Sequence, residues 1–130
     1  MISEQMNGWR QAWGQLIHEA SPFAIVKGEQ GIPEFSKAPL NLVEALQAGR
    51  EHGPKPFVRW QGQSYTYNEF FTKADKITAA LQKELAVGKG DRVAIAMRNR
   101  PAWMISFMAA VQVGAIPVPI NSWSTAEELL

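Results

Sequence analysis

The chain has 130 residues, 46% of them hydrophobic and 19% charged, which suits one packed domain or a piece of a larger one and excludes intrinsic disorder. Thirteen Lys and Arg against twelve Asp and Glu leave a formal charge of +1, too little for the basic footprint of a nucleic-acid binder. Cysteine is absent, so disulfides, thiolate metal sites and cysteine nucleophiles are excluded, and a reducing, cytoplasmic setting is expected.

The first ten residues hold no basic run followed by an apolar stretch, so no secretory signal is expected. Ile2, Met6, Trp9, Trp13, Leu16, Ile17 and Ala20 recur at steps that put them on one face of a helix over residues 1–20. Gly8 and Gly14 each cost such a helix ~1 kcal/mol relative to alanine, so packing must hold it. The face suits either a membrane surface or the protein's own body. Its charges, Glu4, Arg10 and Glu19, are not the Lys/Arg-rich set of a membrane-lying helix, which favours the second.

Residues 21–39 contain Pro22, Gly28, Gly31, Pro33 and Pro39 and read as irregular chain with one short strand at 23–26. Asn41 and Glu44 then form a capping-box-like helix start, and Gly53 and Pro54 stop that helix. Short strands are predicted at 57–60 and 64–66, joined by the turn Gln61-Gly62-Gln63. Thr66 and Glu69 are a full capping box. The helix they open aligns Phe70, Ala74, Ile77, Leu81 and Leu85 and is expected to end at Gly88.

A strand over 92–97 comes next. Asn99 is placed to cap the next helix, with Pro101 tolerated in its first turn. Residues 102–113 are apolar nearly all round, so this helix should be covered on several sides. Gly114 closes it, and 116–120 read as another strand. Two strands joined by one helix make a βαβ unit, expected to be parallel and right-handed. The stretch 101–126 carries no charge, yet Gly114, Pro117 and Pro119 break helical continuity, so no membrane span is expected. Overlapping capping boxes at Ser124/Glu127 and Thr125/Glu128 announce a further helix. A two-stranded parallel sheet is smaller than such sheets usually are, which points to the front part of a larger domain.

No catalytic constellation stands out. His18 and His52 lie 34 positions apart and show no metal spacing, and no metal ligands are expected among the acidic residues either. Gly88-Lys89-Gly90-Asp91 is the densest glycine site, but it precedes a strand rather than a helix, the wrong order for the common nucleotide loops. Arg98 and Arg100 flank the C-terminal end of a strand, where α/β proteins often bind ligands; a solvated loop explains them as easily.

The segments "SYTYNEF", "VGKGDRVAIAMRNRPAW" and "FMAAVQVGAIPVPINSWSTAEEL", in that order, resemble the N-terminal subdomain of the adenylate-forming, or AMP-binding, superfamily. That superfamily includes acyl-CoA synthetases, luciferases and peptide-synthetase adenylation domains. The preceding "SPFAIVKGEQGIPEFSKAPLNLVEAL" looks, more loosely, like the leader of longer fatty-acyl-CoA synthetases.

The resemblance implies an α/β fold, a parallel sheet with flanking helices and the βαβ unit at about 91–120, forming the N-terminal piece of the large domain of such an enzyme. It divides the chain into a helical and irregular leader at 1–56 and the start of the AMP-binding-type domain at 57–130, truncated at its C-terminus. It implies a ligase that activates a carboxylic acid, fatty acids first among them, with ATP and Mg, then transfers the acyl group to CoA. The family's Ser/Thr/Gly-rich phosphate loop ending in Pro-Lys-Gly, its later acidic ATP-binding positions and its catalytic lysine have no counterpart in residues 1–130. The chain alone is therefore expected to be inactive, to carry no catalytic residue and to hold none of these cofactors. Its partners would be the rest of the same polypeptide and, through a bare sheet edge, a second copy of itself.

One local site is implied by the resemblance. Asn121, Ser122 and Trp123 match a loop that lies along bound CoA in CoA-forming relatives. Some relatives carry an arginine at the Trp123 position, suited to a CoA phosphate; a tryptophan there loses the ionic contact but can stack on adenine. A plain turn at Asn121 and Ser122, with Trp123 packed in the core, is the competing reading. For the whole chain, the competing readings are an adenylation domain that loads a carrier protein and a small non-catalytic α/β binding module.

Overall fold

In the computed structural model, which describes residues 2–128, the chain forms two units, one running to Leu40 and the other from Asn41 onward. In the first, α1 (Ile2–Ile17) precedes an antiparallel hairpin of β1 (Ile25–Lys27) and β2 (Pro33–Phe35), with Ile25 opposite Phe35. The Ser21 hydroxyl donates to the carbonyl of Leu16 and so satisfies an end of α1. The strand expected at 23–26 starts at Ile25, and it gains a partner, β2, that opens on a proline and lies in a stretch expected to be irregular. The expected packing of the apolar face of α1 is not seen: Trp9 is 78% and Trp13 58% exposed. A unit this small, with only a three-residue hairpin beside the helix, has too little apolar surface to cover that face.

The second unit begins with α2 (Leu42–Gln47), whose cap Asn41 accepts a bond from the Glu44 amide at 2.9 Å as expected. A short 3-10 helix (Ala48–His52) leads to β3 (Pro56–Trp60) and β4 (Gln63–Thr66), paired antiparallel. Their turn holds Gln61 and Gly62 at φ 46° and 77°, both left-handed, the geometry that a tight two-residue hairpin turn demands. Thr66 and Glu69 form the complete capping box that opens α3 (Tyr67–Lys83). That helix stops short of Gly88: Glu84 is its C-cap and Ala86 takes up a left-handed φ of 52°.

β5 (Arg92–Ile95) and β6 (Ile116–Pro119) pair in parallel, with Arg92 opposite Ile116, and α4 (Pro101–Val113) connects them. The parallel βαβ order expected over 91–120 is therefore present. Two local details differ. The N-cap of α4 is Arg100, without a side-chain bond, rather than Asn99; Pro101 at the first helical position has no N–H in need of a cap. At 124–128 the capping bonds of Thr125 and Glu128 form, yet the described residues there make turns and no helix. A single capped turn does not overcome the cost of helix nucleation. Gly114, by contrast, closes α4 at φ 83°, as its position predicts.

Residues 41–52 belong physically with the core built by α3 and α4 rather than with the leader. Leu46 packs on the cluster of Phe70, Phe71, Ala74, Ile105 and Met108, formed between those two helices. A second cluster of Ala110, Val113 and Ala115 lies against Leu81, Val87 and Val93 and binds the parallel strands to the helices. Ala74 and Ala109 are fully buried, and side chains that small let the helices approach closely.

A polar chain laces the same elements. Arg50 of the 3-10 helix forms a two-armed ion pair with Asp75 of α3, one arm at 3.1 Å. Asp75 accepts from the Gln112 amide of α4 at 3.2 Å, and Thr78 donates to the Gln112 oxygen at 2.6 Å. The hydrogen bond from Arg50 holds the Asp75 carboxyl below its ordinary value; partial burial opposes this, and the Arg50 charge and Gln112 assist. A carboxyl depressed in the fold contributes stability above its unfolded pKa and loses it as pH falls through the folded value. With the pair about half exposed, the contribution is under ~1 kcal/mol. Asp75→Asn is therefore expected to lower stability to urea modestly at pH 7, and the gap from the parent should close by pH 3.

Candidate functional site

Ligands of parallel α/β sheets bind beyond the carboxyl ends of the strands, and here those ends carry the chemistry. After β5 the chain reads Met97-Arg98-Asn99-Arg100 before entering α4; after β6 it reads Ile120-Asn121-Ser122-Trp123. The Ile120 amide donates to the Ile95 carbonyl at 3.1 Å, so the ladder is kept to the point where both loops depart. Asn121 then turns the chain: its side-chain oxygen accepts from the Trp123 amide at 3.1 Å and its carbonyl from the Ser124 amide at 3.0 Å.

The turn throws Trp123 outward. Its side chain is 80% exposed, so the competing expectation that it packs in the core does not hold. The Arg98 guanidinium lies over the indole, 5.4 Å from the ring centroid, within cation–π range. Asn121, Ser122 and Trp123 line one open pocket together with Met97, Asn99 and Trp103. The structure thus brings the two sequence-suspected groups, Arg98 and the 121–123 loop, to one place. Arg100 is not part of this pocket; it faces the β3–β4 hairpin, where its guanidinium sits 5.8 Å above the Trp60 ring.

Trp103 is the residue that sequence reasoning missed. It stands between the two arginine positions, lining both the Trp123 pocket and the groove beside Trp60, with its ring stacked on Phe107 at 5.5 Å. Helical periodicity marks it only as one more apolar position of α4. The signal available was its place in the first turn of a helix that leaves a strand end.

The residues lining this pocket are neutral or apolar, and the nearby charges are arginines. No group of three His, Asp or Glu side chains gathers at metal-binding distance among the described residues. No described helix is long and apolar enough to cross a membrane. The arrangement can hold an anionic, flat-faced group: a guanidinium for the charge and an exposed indole for the face.

Residues 45–130 match the family model described as AMP-binding enzyme. A long-chain-fatty-acid–CoA ligase of Haemophilus influenzae is 31% identical over 103 residues, 79% of this chain and 18% of that protein. A medium/long-chain-fatty-acid–CoA ligase of Mycobacterium tuberculosis, FadD6, is 33% identical over 94 residues, 72% of this chain and 15% of that protein. Among solved structures, the N-terminal subdomain of Klebsiella oxytoca NpsA, in complex with anthranilyl-AMSN, matches with a TM-score of 0.63 at 25% identity. It covers 68% of this chain and 23% of that one. The chain spans about a fifth or less of the length of these curated relatives.

Proposed function

The chain belongs to the AMP-binding enzyme family, and from that premise we propose that it is the N-terminal part of an AMP-forming acid–CoA ligase whose acid is a fatty acid. The observation that carries this reading is the 31% identity with a long-chain-fatty-acid–CoA ligase across 79% of the chain. A carboxylate is a poor acyl donor because its leaving group would be oxide. Its attack on the α-phosphate of ATP releases pyrophosphate and gives an acyl-adenylate, whose AMP is a competent leaving group. The CoA thiol then loses its proton, attacks the acyl carbon and displaces AMP as the thioester forms.

In this reading the 130 residues do not perform the chemistry. They supply one wall of the large domain, with β5 and β6 as the start of its sheet, and Asn121, Ser122 and Trp123 as a loop along bound CoA. Two features support the loop's role. Trp123 is held outward by the Asn121 turn, and Arg98 returns a cation to the position where the resemblance expects one. The indole would stack on adenine while Arg98 meets a phosphate.

Titrating CoA into the chain tests this. CoA is expected to quench Trp123 emission saturably. Arg98→Gln should weaken CoA roughly tenfold, the scale of one charge-assisted hydrogen bond, and Trp123→Ala should remove the quench. Absence of saturation up to millimolar CoA, or equal affinity in the Arg98 variant, would overturn the assignment of this loop. The likeness to NpsA, a protein also solved as an artificially fused Adenylation-PCP di-domain NRPS, favours a second reading in which the thiol belongs to a carrier protein. A complete enzyme that transfers its acyl group to a carrier domain and ignores CoA would select that reading.

A further inference from the structure

The groove at the other end of the same surface is not absorbed by the CoA reading. It runs between the β3–β4 hairpin and the first turn of α4, encloses about 380 Å³ and is lined by Val58, Arg59, Trp60, Asn99, Arg100, Pro101, Trp103 and Met104. That volume lies within the range of small-molecule sites. Its walls are apolar: Trp60, half-buried, on the hairpin side, and Pro101, Trp103 and Met104 on the helix side.

Its charge is of one sign. Arg59 and Arg100 both line it, no carboxylate does, and the salt bridge found among the described residues engages Arg50 instead. Arg100 lies over the face of Trp60, which fixes the guanidinium plane and leaves its edge N–H groups directed away from the ring. A guanidinium held in this way is preorganised to grip a carboxylate with two parallel bonds. An apolar slot with such a cation at its side fits a molecule with an apolar body and one anionic end.

We propose that the Trp60–Trp103 groove binds an amphiphilic carboxylate, its chain laid against Trp60, Trp103 and Met104 and its carboxylate on Arg100, with Arg59 adding to the field. The inference rests on the groove alone and is read at residues other than the CoA loop.

Decanoate, kept below its micellar concentration, is the probe, and the five assigned tryptophan indole N–H resonances are the readout. The expected result is a saturable shift of Trp60 and Trp103 with Trp9 and Trp13 unmoved. 1-Decanol, with the same chain and no charge, should bind at least tenfold more weakly, and Arg100→Gln should abolish that preference. Arg59→Gln, on the exposed hairpin, should weaken decanoate about threefold and serves as the second variant. The proposal is overturned if decanoate moves only Trp9 and Trp13, as an amphiphile on the exposed face of α1 would. Decanol binding as tightly as decanoate, or shifts that never saturate, would overturn it too. CoA is read at Trp123 and decanoate at Trp60 and Trp103, so either assignment can fail without the other.

Discussion

Phe70→Ala is expected to cost the second unit about 3–5 kcal/mol, the usual range for truncating a buried phenylalanine. Phe70 is 2% exposed and is the hinge of an aromatic group: its ring meets Phe57 edge-on at 4.9 Å and Phe71 edge-on at 5.9 Å. It thereby ties β3 to α3 and belongs to the cluster that also takes in Ile105 and Met108 of α4. Removing the ring leaves a cavity where three elements meet, and Ala74 and Ala109 are too small to relax into it. Small domains have total stabilities of about 5–15 kcal/mol, so this one change should take most of the margin. The midpoint of thermal unfolding should fall by more than about 12 °C. Leu85→Ala, at a side chain 68% exposed, should stay within about 0.5 kcal/mol. Urea unfolding of both variants checks this; a Phe70 variant within about 1 kcal/mol of its parent, well under the usual truncation cost, would mean that the core is not organised around this residue.

The sequence disclosed most where one residue acts on its own neighbours. Asn41 and Thr66 cap their helices by bonds that reach three residues along the chain, so the capping pattern and the structure coincide. The parallel pairing of β5 and β6 was legible for a related reason: a helix of the length of α4 between two strands leaves little other choice. Features that depend on distant partners were not. Nothing near Arg98 announces Trp123, and nothing near Arg100 announces Trp60; those pairs exist only because a sheet and a hairpin bring separate stretches together. The end of α3 misled for a different reason. Ala86 accepts a left-handed conformation that glycine adopts more easily, so the helix closes before the glycine that seemed to mark its end.

The same local logic bears on the reaction. The 130 residues by themselves are expected to give no carboxylate-dependent exchange of pyrophosphate into ATP. Adenylation gathers negative charge on the α-phosphate and on the departing pyrophosphate, and enzymes meet that charge with converging N–H groups and cations. The densest glycine site of this chain has already used its N–H groups within the fold. The Gly88 amide donates to the Asp91 carboxylate at 2.8 Å, and the Gly90 amide to the Gly114 carbonyl at 2.9 Å. Lys89 packs its side-chain stem close over Gly114, which ties that segment to the end of α4. A phosphate approaching this turn would meet a carboxylate rather than a cradle. Losing one oxyanion donor alone costs on the order of 10²–10³ in rate, so a chain lacking the whole cradle should fall below detection. Radiolabelled pyrophosphate, ATP and a panel of fatty acids from short to long chain make the measurement. Exchange above the no-acid control with any of them would show that this stretch holds an adenylation centre of its own, and the division of labour proposed for it would have to be abandoned.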